Sequence, residues 1–120
     1  MEKRLGKIQI LGEEYPLNFS LRISQTFKDL LKDTGITPEQ KNLKLLSLLL
    51  RDGAAYSRVV LGEEITPPQE EALELIFTPA DNARIVEAIQ ETLELGGMRL
   101  ITSAAKKNRA AAGAGNIPKA

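Results

Sequence analysis

Apolar and polar residues alternate from Lys7 to Leu11, with Ile8 and Ile10 on one side and Lys7 and Gln9 on the other, and Tyr15, Leu17 and Phe19 alternate likewise. Period two on both sides of Gly12-Glu13-Glu14 predicts a β-hairpin that turns on those three residues. Pro16 has no backbone donor, so the second strand is predicted as an edge strand with position 16 outside the ladder. Two strands alone are marginal in water, and the hairpin must therefore pack on helices.

From Ser20 onward the period becomes helical. Ile23, Phe27, Leu30 and Leu31 recur at i, i+4, i+7 and i+8 behind a Ser20 cap, and Gly35 supplies a stop. Thr37-Pro38-Glu39-Gln40 is a second helix start, with Thr as cap, Pro at the first helical position and Gln placed for a capping box. Leu43, Leu45, Leu46, Leu48, Leu49 and Leu50 then cover an arc of roughly 220°, much wider than the stripe of a surface helix. This helix is either surrounded within the domain or uses its surplus apolar face for a partner. Arg51-Asp52-Gly53 interrupts the run, and Ala54 to Leu61 follows as a kinked continuation or a short helix ending at Gly62. Thr66-Pro67-Pro68-Gln69 opens another helix through Ile76 and Phe77, and Thr78-Pro79-Ala80-Asp81 repeats the same logic. The last helix places Ile85, Val86, Ile89 and Leu93 on one face and Glu87, Gln90, Glu91 and Glu94 on the other, and Gly96-Gly97 ends it.

The element order predicts a mainly α (α+β) fold: an N-terminal β-hairpin packed on a bundle of about four to five helices over residues 1–97, then a flexible, Ala/Gly-rich tail over 98–120. Charge divides at the same boundary. The chain is neutral overall, with 16 basic and 16 acidic residues. Residues 1–97 hold 11 of the bases and all 16 acids, so that part is at −5 and the tail, with five bases and no acid, at +5.

Neither cysteine nor histidine occurs in the 120 residues. That removes thiolate nucleophiles, Cys-ligated metals, the commonest proton-transfer side chain and the commonest transition-metal ligand, and it argues against an enzyme. Carboxylate pairs remain at Glu13-Glu14, Glu63-Glu64 and Glu70-Glu71, where solvated acids in loops and first helical turns account for them. Glu63, Glu64 and Asp52 offer oxygen ligands but lack a calcium-loop spacing. Gly12, Gly53, Gly62 and the pair Gly96-Gly97 each fit a turn or helix end rather than a phosphate loop, so no cofactor is expected. The basic tail carries no aromatic residue, which argues against nucleic acid as a partner. No apolar stretch approaches a signal sequence or a bilayer span, and a soluble protein without a membrane partner is expected.

A binding or structural protein is what these exclusions leave, one that recognises other polypeptides by helix-in-groove contacts or by strand addition at the hairpin edge. Tyr56, Val59, Val60 and Leu61 follow the break in the central helix and are the candidate partner-facing patch, with core packing as their competing role.

The strand, Gly12-Glu13-Glu14, Tyr15-Pro16-Leu17-Asn18-Phe19, a helix, a Leu-rich helix and Leu50-Arg51-Asp52-Gly53-Ala54-Ala55-Tyr56 together are similar to small tail assembly chaperones of long-tailed bacteriophages and prophages, over about residues 7 to 95. The resemblance implies a protein of the bacterial host cytoplasm, absent from the mature virion, that coats the tape measure protein and helps tail tube subunits polymerise around it. It implies many copies, which admits homo-oligomerisation. It also implies a longer form, made by ribosomal frameshifting, that contacts the tail tube protein; Lys106-Lys107, encodable by a run of adenines, is where the junction is expected. Two other functions fit the same composition: a structural tail or connector protein that stays in the particle, and a small DNA-binding regulator, against which the acidic body argues.

Overall fold

The computed structural model describes residues 4–97, and the tail expected over 98–120 lies outside the described residues. The described residues form a mainly α fold with one hairpin. Strands β1 (Gly6–Ile10) and β2 (Glu13–Leu17) pair antiparallel, and helices α1 (Leu21–Lys32), α2 (Pro38–Tyr56), α3 (Glu70–Ile76) and α4 (Asn82–Leu95) follow. A π-helical turn, Ser57–Leu61, extends α2, and a 3-10 turn, Pro79–Asp81, leads into α4.

The hairpin turns on Leu11-Gly12, with φ of 52° and 84°, and not on Gly12-Glu13-Glu14. A two-residue turn with both φ angles positive matches the twist of the strands it joins, so Glu13 and Glu14 are drawn into β2. Ile10 pairs with Glu13, Ile8 with Tyr15 and Gly6 with Leu17, which puts Ile8, Ile10 and Leu17 on the buried face. Pro16 stands opposite Lys7 within the paired register. Bonded and non-bonded pairs alternate from the turn, so this is a non-bonded pair and the missing donor costs the ladder nothing.

Ser20 caps α1 by accepting from the Arg22 N–H at 3.2 Å, and Ile23 and Phe27 face the core. The helix stops at Asp33 rather than Gly35, because the Asp33 carboxylate takes the Gly35 N–H at 2.8 Å and closes a local turn. Thr37 caps α2 with the reciprocal Gln40 contacts of a capping box, both at 3.2 Å. Thr66 caps nothing. Pro67 precedes a second proline, which disfavours the helical region there, and α3 begins only at Glu70 behind Gln69. Thr78 does start a helix: its N–H donates to Asp81 Oδ2 at 2.9 Å.

Helix α2 is surrounded. The hairpin, α1, α3 and α4 all pack on it. Leu45, Leu46, Leu48, Leu49 and Leu50 are buried and Leu43 is half-buried, so the wide apolar arc faces the interior. Arg51-Asp52-Gly53 does not interrupt it; α2 runs straight through to Tyr56. A Cβ at Gly53 would collide with the Pro16 carbonyl and the Leu17 backbone, so the glycine lets β2 lie directly against the helix. The Asn18 N–H donates to the Leu49 carbonyl at 3.1 Å. Buried Asp52 accepts from Asn18 Nδ2 at 3.0 Å and from the Ser20 hydroxyl at 2.9 Å, tying the β2–α1 corner to the same place. What reads as a break is the seam between sheet and helix.

Candidate functional site

Beyond Tyr56 the helix widens. Val59 and Val60 are β-branched neighbours, which crowd a regular α-turn. The Ser57 carbonyl accepts instead from the Gly62 N–H and from the Glu63 N–H at 2.8 Å, and Gly62, at φ 72°, ends the turn in the left-handed region. Ser57 is buried, but Val59, Val60 and Leu61 are 69%, 60% and 51% exposed. Tyr56, the fourth candidate, is half-buried at the end of α2. The structure thus places three consecutive apolar side chains outside the core at the end of the most buried helix.

The carboxylates do not converge. Glu13 and Glu14 point to opposite faces of β2, where Glu13 accepts from the Tyr15 hydroxyl at 3.3 Å and Glu14 lies 3.7 Å from Lys7. Burial, then the Glu13 charge, raises the Tyr15 phenol above its ordinary value. Glu70 and Glu71 occupy the first turn of α3, where the helix dipole favours them. Glu70 accepts from Lys44 at 2.8 Å, and that bond holds the Lys44 ammonium above its ordinary value. Glu63 and Glu64 are exposed, whereas Asp52 is buried and taken by Asn18 and Ser20. Among the described residues no group of three or more acidic side chains could hold a metal ion, and no helix is long and apolar enough to cross a membrane.

A second feature lies beside β1. Between the outer edge of β1 and α4 runs an open groove of about 800 Å³. Strand and helix approach closely at two points: a Cβ on Gly6 would strike the Thr92 side chain, and Arg84 Nη1 donates to the Gln9 carbonyl at 2.7 Å. Glu87, Glu91 and Glu94 line one wall, and Leu11 stands on the rim. The acidic stripe is legible in the sequence as the solvated face of a helix, but nothing in the sequence signals that this face and the free edge of β1 form one groove.

Comparison with protein-family models, with curated proteins and with solved structures finds no match to this chain.

Proposed function

We propose that the protein is a tail assembly chaperone of a long-tailed bacteriophage or prophage, and that it covers apolar stripes of an elongated helical client, the tape measure protein, until tail tube subunits replace it. The observation that carries the reading is the exposed Val59-Val60-Leu61 turn, a small apolar surface on an otherwise internally satisfied helix. A temporary cover needs such a surface and no reaction chemistry.

Magnitude favours a reversible role. Each of the three side chains would contribute on the order of 1 kcal/mol when covered, about 3 kcal/mol together. That falls short of the roughly 4 kcal/mol corresponding to a millimolar Kd, before the costs of association are met. One copy alone would hold a client weakly. Many copies bound along a long client would hold it by multivalency and still be displaced one at a time.

The test is to express the native gene with its downstream region and an N-terminal tag, in parallel with a Val59→Ser, Val60→Ser, Leu61→Ser variant, and to identify by mass spectrometry what is recovered. The wild-type chain is expected to bring down a long helical protein together with a longer product of its own gene. The variant, with an unchanged helical circular dichroism spectrum, is expected to lose the client. Capture that survives the triple substitution removes the patch from the proposal, and abundance of the chain in purified particles replaces the chaperone with a structural tail subunit.

A further inference from the structure

The groove between β1 and α4 has unmet valences of two kinds. Counting outward from the Ile10–Glu13 pair, Lys7 and Gln9 direct their backbone groups away from β2. The Gln9 carbonyl is taken by Arg84, whereas among the described residues the Gln9 N–H and both backbone groups of Lys7 have no partner. On the facing wall Glu87, Glu91 and Glu94 follow at i, i+4 and i+7, and among the described residues none has a hydrogen-bond or ion-pair partner. At the rim Leu11 is 80% exposed at φ 52°, a left-handed conformation that costs a leucine energy an asparagine or glycine would not pay.

From these observations we infer that the groove is the docking surface for the chain's own basic segment, residues 98–120. Charge selects it. The segment carries Arg99, Lys106, Lys107, Arg109 and Lys119 and no acid, against a wall of unpaired glutamates. Connectivity selects it as well. The chain leaves α4 through Gly97, at φ 85°, only three residues beyond Glu94, so the segment starts at one end of the groove. Helix α4 is about 21 Å long at 1.5 Å per residue. Twenty-three residues reach about 35 Å at the helical rise and about 75 Å extended, so either conformation passes all three glutamates. Attachment also raises the local concentration of the bases to the millimolar range, enough for weak screened pairs to be populated. This inference is independent of the chaperone reading.

The chain has no cysteine, so a nitroxide placed through Lys107→Cys reports on one site. In the full-length 15N-labelled chain at low salt, the amides of Lys7, Gln9 and residues 87–94 are expected to lose intensity by about twofold or more against the reduced label, and to recover near 1 M salt, where the screening length is about 3 Å. Glu87→Lys, Glu91→Lys, Glu94→Lys, all surface changes, should abolish the broadening with the helical spectrum intact. Uniform or absent broadening overturns the inference. Broadening seen only when label and isotope are on different chains also overturns it, by assigning the groove to a second copy.

Discussion

Gly53 shows how one residue can be misread from sequence and still be decisive. Asp52-Gly53 within an apolar run signals a break as readily as a close approach, and only the strand lying on it distinguishes them. Alanine there would gain up to about 1 kcal/mol of helix propensity. It would also drive a Cβ into the backbone of Pro16 and Leu17, an overpacking that costs about 1–3 kcal/mol because backbone cannot swing aside as a side chain can. Gly53→Ala is therefore expected to lower stability by up to about 2 kcal/mol in urea unfolding, and a raised midpoint would show that the seam has room for a methyl group. The same limit explains Leu11: alternation located the strands, but the three-residue turn Gly12-Glu13-Glu14 and the two-residue turn Leu11-Gly12 overlap at Gly12, and the choice rests on the twist of the paired strands.

Among the elements, helix starts separate by local chemistry. Thr37→Ala removes a capping box and should cost about 1 kcal/mol, whereas Thr66→Ala, at a threonine that caps nothing, should stay within about 0.5 kcal/mol of wild type. Two equal losses would mean that Thr66 is engaged after all. Asp81 adds a pH dependence. The Thr78 N–H, and then the charge of Arg84, hold its carboxyl below the usual carboxylate range. Its contribution is thus present above the ordinary carboxylate value and is lost as pH falls through the lowered native one. Asp81→Asn should destabilise at neutral pH, with the difference from wild type shrinking progressively below a pH of about 4. Capping boxes and amphipathic stripes were legible because their partners lie within four residues. The end of α1 at Asp33 and the late start of α3 are set by a side-chain turn and a doubled proline, signals that compete in the sequence with the Gly35 stop and the Thr66-Pro67 start.

Across the whole molecule, one helix organises everything else. The 220° arc of leucines announced that α2 would be central, and the structure resolves which of two uses that arc serves, because the hairpin and three helices cover it. Among the described residues the buried apolar side chains run from Ile8 to Leu93. A chain ended after Gly97 is therefore expected to unfold within about 1 kcal/mol of the full chain at physiological salt, since exposed ion pairs to residues 98–120 contribute little to stability. A larger loss by thermal unfolding would mean that apolar contacts, and not only charges, fasten that segment. The exposed triad and the groove were less legible than the fold, because both depend on what does not pack there: among the described residues no element covers Val59–Leu61 and no strand pairs with the outer edge of β1.

The wide turn at Ser57–Leu61 bears on which changes of length this fold can absorb. A π-turn joins the same two backbone groups as an α-turn with one residue more between them. Removing Val60 would make the Ser57 carbonyl to Gly62 N–H contact an ordinary α-helical bond and leave Gly62 in place to end the helix. Removing one residue between Leu45 and Leu50 would instead rotate every leucine after it by about 100° out of the core. The first deletion should fold with undiminished stability and present a smaller, re-aimed apolar edge; the second should not fold. Along the continuous helical run Pro38–Leu61, tolerance for a lost residue is thus found in the turn that displays the exposed apolar side chains and not in the leucine-rich stretch before it.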